Sequence, residues 1–185
     1  MPMLPAEISV YPSDLLDGFT SGCPERRWWA LFTKARQEKA VARQLLAREV
    51  PFYLPLIPKD NVIRGRRFRS HIPLFADYVF QYGTDEDRLT ALTTNRVPRT
   101  IPVVDQLQLF KDLRQVKLAI EADRPLAIER RLRPGQLVRI KSGPMQGMEG
   151  VVTARRGRIR LLIAVHFLQS GVSVEIDDCM VESIG

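Results

Sequence analysis

Residues 134–152 read PGQLVRIKSGPMQGMEGVV, and this stretch decides the fold of the C-terminal part of the chain. Two apolar segments, each able to form a short strand, flank a turn that contains Gly143 and Gly147. Glycine permits the tight backbone conformations that such a turn needs. Gly150 has no side chain, so a neighbouring strand can approach its backbone closely inside a very small barrel.

The residues after this stretch continue the pattern of short strands separated by glycine turns. Five strands are predicted, at 137–141, 149–154, 159–167, 172–176 and 180–184. A sheet of this size must close its edges to be stable on its own. Residues 134–185 are therefore predicted to form a small five-stranded β-barrel.

The N-terminal half alternates strand and helix patterns. Residues 28–33 are apolar and aromatic, as in a buried strand, and residues 36–49 carry a helical stripe that includes Val41 and Leu45. Residues 52–57 and 62–63 are predicted to be extended, and 64–66 are predicted to form the tip of a basic hairpin that returns over 67–72.

Residues 74–82 read as a strand that places Tyr78, Phe80 and Tyr82 on one face. Asp85 can cap a short helix, 101–104 is a short strand, and Asp105 can cap a longer helix with a core stripe. That stripe consists of Leu109, Leu113, Val116 and Ile120. The order predicts an α/β sandwich with a mainly antiparallel sheet, so the whole chain is assigned to the α+β class.

Four segments follow from this pattern. Residues 1–25 mix proline, glycine and serine without periodicity, which predicts a flexible leader, and 26–122 form the N-terminal domain. Residues 123–133 contain Pro125 and four arginines and are predicted to be a linker, and 134–185 form the C-terminal domain.

The composition of the chain, with 45% apolar and 26% charged residues, is that of a globular protein. Its apolar runs are too short for a membrane helix, and the acidic N-terminus does not resemble a signal peptide. We therefore expect a cytoplasmic protein without membrane contact. Cys23 and Cys179 support neither a disulfide framework nor a zinc site.

Positive charge is concentrated in the N-terminal domain. Residues 26–122 contain 18 Lys and Arg against 10 Asp and Glu, whereas 134–185 contain 6 against 5. A basic domain joined to a neutral one suggests that the basic domain contacts a polyanion or an acidic partner. The alternative is an arginine-rich surface that is simply solvated.

The stretch over residues 134–152 resembles a motif of a known protein family. It is similar to the KOW motif of the NusG family of transcription elongation factors in residue type and spacing. Because KOW motifs also occur in ribosomal and RNA-associated proteins, this motif alone does not decide the function.

The N-terminal half also resembles the NusG family. The similarity lies in Arg27-Trp28-Trp29, the helix from Arg36, the LFADYVF stretch at 74–80 and Val97-Pro98-Arg99. Ala76-Asp77 departs from the Pro-Gly or Pro-Asn that usually precedes the tyrosine. IRGRR at 63–67 and PLF at 73–75 resemble the specialised branch typified by RfaH.

The resemblance implies an N-terminal domain that binds the clamp helices of RNA polymerase, and a KOW domain that recruits a ribosomal protein or termination factor. It implies a monomer without a cofactor. The expected polymerase groove consists of Phe32, Phe75, Tyr78 and Phe80. Each of these aromatic residues could instead belong to the core.

Non-template DNA is the second expected partner. The residues expected to contact it are Lys34, Arg36, Lys39, Arg43, Arg96 and Arg99 through phosphates, and Trp28 or Trp29 by stacking on a base. Arginines on a solvated helix face and a tryptophan in the core are the alternatives. Phe167 resembles the family's aromatic contact for the KOW partner, with a core position as the alternative.

No catalytic motif is found, because His71 and His166 lack partners at metal spacing and no phosphate-binding glycine loop occurs. We expect a non-enzymatic elongation factor that suppresses pausing or termination, which would make it an antiterminator. The alternatives are a pro-termination role and a ribosome-associated or RNA-binding KOW protein; the near-neutral C-terminal domain argues against RNA binding there.

In RfaH-like factors the KOW domain can instead form a helical hairpin. Residues 158–169 are apolar and free of glycine, so they could form one such helix. The many β-branched residues, and the glycines at 143, 147 and 150, favour strands and predict the barrel.

Overall fold

A computed structural model describes residues 7–18, 23–132, 134–176 and 181–185 of the chain. Helices and antiparallel sheets occur together, which confirms the predicted α+β class. The chain divides into two compact units, Met1–Gln106 and Leu107–Gly185. None of the helices in the described ranges combines the length and apolar character of a membrane span.

The first unit contains a five-stranded antiparallel sheet, a separate hairpin and two helices. Its elements are β1 (Val10–Tyr11), β2 (Arg27–Phe32), α1 (Glu38–Ala47), β3 (Phe52–Tyr53), β4 (Leu56–Ile63), β5 (Arg66–Pro73), β6 (Tyr78–Gly83), α2 (Asp85–Leu92) and β7 (Arg99–Pro102). The order of strands in the sheet is β1-β3-β6-β2-β7, and β4 pairs with β5 to form the hairpin.

The sheet has two apolar faces because β2 and β6 are apolar at nearly every position. Leu31 and Val79 lie on one face and pack against Val41 and Leu45 of α1, which confirms the predicted helical stripe. The opposite face carries Trp28, Ala30, Phe32, Tyr78, Phe80 and Tyr82, because these residues alternate with the first set and pair across the two strands.

Residues 7–18 of the predicted leader are not a flexible tail. Val10 and Tyr11 pair with Tyr53 and Phe52, so β1 adds an edge strand to the sheet. Leu16 is fully buried. The prediction of a flexible leader is therefore wrong for these residues, because single apolar side chains between prolines and acids can be buried without any periodic pattern.

The second unit contains most of one helix and a six-stranded antiparallel sheet. Its elements are α3 (Gln106–Glu121), β8 (Leu126–Glu129), β9 (Leu137–Ile140), β10 (Glu149–Arg155), β11 (Arg158–Val165), a single 3-10 turn (His166–Leu168), β12 (Ser170–Glu175) and β13 (Val181–Ser183). The strand order is β13-β9-β10-β11-β12-β8. The five predicted C-terminal strands correspond to β9 to β13, and 158–165 form a strand, not a helix.

Closure of this sheet into a barrel stays a prediction, since β13 and β8 are its two ends in the described pairing. Cys179 and the first residue of the strand predicted at 180–184 lie outside the described residues. Gly143 and Gly147 have φ values of 88° and 85°, as the predicted turn requires. A Cβ at Gly150 would lie 2.5 Å from the backbone oxygen of Leu162, which confirms the close approach.

The predicted linker contains β8, which pairs with β12 from Leu126↔Val174 to Glu129↔Gly171. The local prediction of irregular structure is wrong at these four residues. A four-residue strand is too short to show a period, and it forms because the edge of β12 offers unpaired backbone groups. The division between the units falls at Gln106, earlier than the predicted domain boundary at 122.

Candidate functional site

Phe32 and Tyr78 form an aromatic pair at one end of the sheet. They are directly opposite each other on β2 and β6, and their ring centroids are 5.7 Å apart in an edge-to-face arrangement. Both side chains are half-buried. This pair therefore keeps part of its aromatic surface available to a partner, as the prediction of a groove requires.

The other two predicted groove residues lie deeper. Phe75 is 6% exposed and Phe80 is fully buried, and their rings meet edge to face at 6.3 Å. Their predicted contact with a partner does not fit this burial. Period-two alternation correctly placed Phe80 on the same face as Tyr78, but it cannot tell which part of a face is covered.

Arg99 extends the aromatic pair with a positive charge. It lies opposite Phe32 on β7, and its guanidinium carbon is 4.6 Å from the centre of the Phe32 ring. The arginine is exposed. A cation over an aromatic face is stabilised by the ring quadrupole, so Arg99 is held beside the aromatic pair while its charge remains accessible.

Lys34 and Arg36 lie in the turn that joins β2 to α1. The helix was predicted to span residues 36–49 but begins at Glu38, so Arg36 precedes the helix, as Lys34 does. Arg36 has a φ of 62°, in the left-handed region. Both side chains are exposed, which leaves their charges free to meet an external anion.

Three chain segments converge on this turn. The backbone N–H of Lys34 donates to the carbonyl oxygen of Arg96 at 2.8 Å, and the guanidinium of Arg96 donates to the Gln37 side chain. The backbone N–H of Thr33 donates to the carbonyl of Asp77 at 2.8 Å. Arg96, which is 60 residues away in sequence from Arg36, is therefore brought to the same turn.

A buried carboxylate anchors the turn before Tyr78. The backbone N–H of Asp77 donates to a carboxylate oxygen of Glu38 at 2.8 Å, and Glu38 is 5% exposed. Asp77 has a φ of 70°, a conformation that favours glycine and asparagine and that aspartate also tolerates. Asp77 can therefore adopt the turn for which the family usually uses glycine or asparagine.

Lys39 and Arg43 lie on α1, and their charges are less available than those of Lys34 and Arg36 in the turn. Lys39 is half-buried. Arg43 is exposed but forms an ion pair with Glu7, and this carboxylate raises the pKa of Arg43 through their hydrogen bond. Because Glu7 compensates its charge, Arg43 is a weaker candidate for phosphate contact. The pairing spans 36 residues and has no local signal.

Trp28 does not fit its predicted role of stacking on a base. It is 1% exposed, and its ring lies 5.3 Å from that of Tyr82. Its backbone N–H donates to Gln106 Oε1 at 2.6 Å. Trp28 is a core residue because every side chain on its face of β2 is at least partly covered.

Trp29, on the opposite face, is half-buried between two guanidinium groups. The guanidinium carbon of Arg88 lies 5.1 Å from the centre of the Trp29 ring, and that of Arg27 lies 5.6 Å from it. This cation–π cluster was not predicted from the sequence. Arg27 and Trp29 are two residues apart on one strand, so their contact had a signal in the sequence. Arg88 comes from α2, and its contact with Trp29 had no such signal.

Phe167 lies in the 3-10 turn between β11 and β12, because β11 ends at Val165, two residues before the end of the strand predicted at 159–167. It is half-buried. In the same turn, the backbone N–H of His166 donates to Asp112 Oδ2 at 2.9 Å, and His166 Nδ1 lies 3.0 Å from the same oxygen. The turn is therefore held against α3, with the Phe167 side chain partly accessible.

The chemistry available at the β2–α1 turn is binding, by aromatic contact and positive charge. No group of three His, Cys, Asp or Glu residues that could hold a metal ion is found in the described ranges. The residues brought together here are Phe32, Lys34, Arg36, Tyr78, Arg96 and Arg99. Phe75, Phe80, Trp28, Lys39, Arg43 and Phe167 lie outside this set.

A model of a known protein family matches this chain. The model described as transcription termination factor nusG matches residues 26–128, more than half of the chain. The matched range includes the whole β2–α1 turn, β6 and β7. Members of this family are non-enzymatic transcription factors that bind RNA polymerase. This chain belongs to the NusG family and is a transcription factor of the termination and elongation class.

Proposed function

We propose that this protein binds the clamp helices of RNA polymerase through Phe32 and Tyr78 and contacts the non-template DNA strand through neighbouring cations. The observation that carries the proposal is that the aromatic pair and the cations lie next to each other. Arg99 stands 4.6 Å over the Phe32 ring, and Lys34 and Arg96 are joined by a 2.8 Å backbone hydrogen bond.

The aromatic pair suits a helical protein partner. Aromatic side chains are the commonest anchors of protein interfaces, and an edge-to-face pair offers a shaped surface to an amphipathic helix. Phe80 lies two residues after Tyr78 on the same face of β6, and it is buried in edge-to-face contact with Phe75.

The cations suit a flexible polyanion. Lys34, Arg36 and Arg99 are exposed, and Arg96 is half-buried, so positive charge lines the edge beside the aromatic pair. Single-stranded DNA is bound largely through such electrostatic contacts. A strand displaced from the template during transcription would lie within reach of a factor held on the polymerase by the aromatic pair.

The C-terminal sheet is proposed to be the family's KOW domain, which recruits a second protein through Phe167. The half-buried side chain in an exposed turn supports a contact there. We propose that the full chain suppresses pausing or termination. Single-round transcription through a terminator shows whether the protein suppresses or promotes termination. Increased read-through supports antitermination, and reduced read-through supports the pro-termination role.

Tyr78→Ala should weaken binding to core RNA polymerase by about tenfold or more, because it removes an interface anchor. Tyr82→Ala is the matched control, since Tyr82 is half-buried on the same face of the same strand. Binding to immobilised polymerase measures both. Unchanged affinity in folded Tyr78→Ala, or an equal loss in both variants, would contradict the assignment.

Lys34→Ser combined with Arg36→Ser should reduce photocrosslinking to the non-template strand while polymerase affinity is retained. The control is Lys111→Ser with Arg114→Ser, which removes two exposed cations from α3. Undiminished crosslinking, or a parallel loss of polymerase affinity, would show that the turn does not contact DNA in the proposed way.

A further inference from the structure

The hairpin of β4 and β5 is a regular two-stranded ribbon. All eight residues of β4 pair with β5, from Leu56↔Pro73 to Ile63↔Arg66. Arg64 and Gly65 form the connection with φ values of 49° and 77°, the arrangement of a type I′ turn. Neither strand pairs with another strand in the described residues. At about 3.3 Å per residue the ribbon is roughly 26 Å long.

The ribbon is strongly basic. It carries Lys59, Arg64, Arg66, Arg67 and Arg69 and a single acid, Asp60. All five cations are exposed, and Asp60 compensates only Arg69, at 3.4 Å. The remaining four charges have no acidic partner among the described residues. A polyanion is therefore the ligand whose charge complements this ribbon.

The cations are distributed over both faces of the ribbon. Because successive strand residues point to opposite faces, Arg66 lies on one face with Lys59, and Arg67 lies on the other with Arg69. Arg64 is at the tip. A ribbon that lies flat on a polyanion needs cations on one face only, whereas a ribbon between two rows of phosphates can use both.

Exposed apolar side chains accompany the cations near the tip. Val62 and Ile63 are 68% and 58% exposed and lie opposite Arg67 and Arg66, and Phe68 is 42% exposed. If the arginines served only to solubilise a free hairpin, apolar residues at its most exposed end would be unfavourable. Apolar contacts with base edges, such as the thymine methyl group, would cover them.

We propose that the β4–β5 hairpin inserts into the major groove of B-form duplex DNA, with cations on its two faces contacting the phosphates of the two groove walls. The major groove, about 12 Å wide, admits a two-stranded ribbon. The major groove of A-form RNA is too narrow and deep for this. The site is separate from the β2–α1 turn, and it does not depend on polymerase binding.

The test uses neighbouring arginines as a matched pair. Arg66→Gln and Arg67→Gln each remove one exposed arginine, but from opposite faces. Arg114→Gln, on the exposed side of α3, is the control. Binding of the full chain to a labelled duplex of about 20 bp, two turns of DNA, is measured by anisotropy over a range of salt concentrations without polymerase.

Each hairpin variant should bind the duplex about three- to tenfold more weakly. Each should also reduce the slope of log Kd against log salt by about 0.9, the loss of one phosphate contact. Arg114→Gln should match the parent chain. Circular dichroism spectra should be unchanged, because neither hairpin side chain forms a hydrogen bond or ion pair among the described residues.

Three results would overturn the proposal. If only one of the two hairpin variants loses affinity for the duplex, the ribbon lies flat on the DNA. If neither variant loses more affinity than Arg114→Gln, the hairpin does not bind DNA. Equal binding of an A-form RNA duplex, or of single-stranded DNA with the same dependence on both arginines, would exclude the groove. Because polymerase is absent, none of these results bears on the aromatic pair.

Discussion

At Gly150 the neighbouring strand leaves no room for a side chain. A Cβ there would meet the Leu162 carbonyl oxygen at 2.5 Å and the Leu161 side chain at 3.0 Å. Since a backbone carbonyl in a paired strand cannot move aside, Gly150→Ala should lower the free energy of unfolding by about 1–3 kcal/mol. Urea unfolding measures this change.

Gly18→Ala is the control for that substitution. Gly18 is exposed, and apart from its chain neighbours no atom of the described residues lies within 4 Å of its Cβ position. The free energy of unfolding of the Gly18→Ala variant should stay within about 0.5 kcal/mol of the parent value. Equal stability of Gly150→Ala and Gly18→Ala would mean that β10 and β11 are not packed as closely as described.

At the scale of elements, a buried polar network joins β8 to the rest of its sheet. The Ser173 hydroxyl on β12 donates to Glu129 at 2.7 Å and accepts from Arg160 Nε at 2.8 Å. Arg160 is only 9% exposed and also donates to the Ser173 carbonyl oxygen at 2.8 Å. One hydroxyl therefore links a buried cation on β11 to the carboxylate at the end of β8.

Ser173→Ala should destabilise the second unit by about 1–3 kcal/mol, because a buried charged group loses a hydrogen-bond partner. Ser142→Ala, in the exposed turn before Gly143, removes a hydroxyl without burial. Hydrogen exchange of the β8 and β12 amides reports the change locally. If these amides are protected from exchange equally in both variants, the network does not hold β8 in place.

At the scale of the whole molecule, α3 is where the domain boundary is decided. The family match runs to residue 128, but the first compact unit ends at Gln106. Within the second unit, Asp112 accepts from His166, and Gln115 accepts from the backbone N–H of Glu149 at 3.0 Å. Leu109, Leu113 and Val116 are buried as the predicted stripe requires, and Ile120 is half-buried.

A fragment of residues 107–185 should therefore keep the α3 helix, because its side chains contact β10 and the turn after β11. Backbone amide shifts of 107–121 in this fragment measure the helix. A fragment of 134–185, the predicted KOW domain, lacks β8 and should unfold at lower urea concentration. Random-coil shifts over 107–121 would instead favour the boundary predicted at residue 122.

Several features could be predicted from the sequence because they depend on neighbouring residues. Strand alternation placed Tyr78, Phe80 and Tyr82 on one face, and the residues around Arg64-Gly65 indicated the hairpin. The glycines at 143, 147 and 150 indicated the turn and the close strand contact. The period of a strand and the φ values of a turn are local properties, so a few residues suffice to read them.

Burial and pairing were decided by the tertiary structure. The sequence could not show that Trp28 and Phe80 are covered, that Glu7 compensates Arg43, or that β8 pairs with β12. It also placed Arg36 in the helix, whereas Arg36 lies in the turn before the helix, where the backbone N–H of Lys34 donates to the carbonyl oxygen of Arg96. From the sequence alone the family and the order of most strands and helices could be read, whereas β1 and β8 were missed. Which candidate residues remain accessible depends on contacts between segments far apart in the chain, and these exist only after the chain has folded.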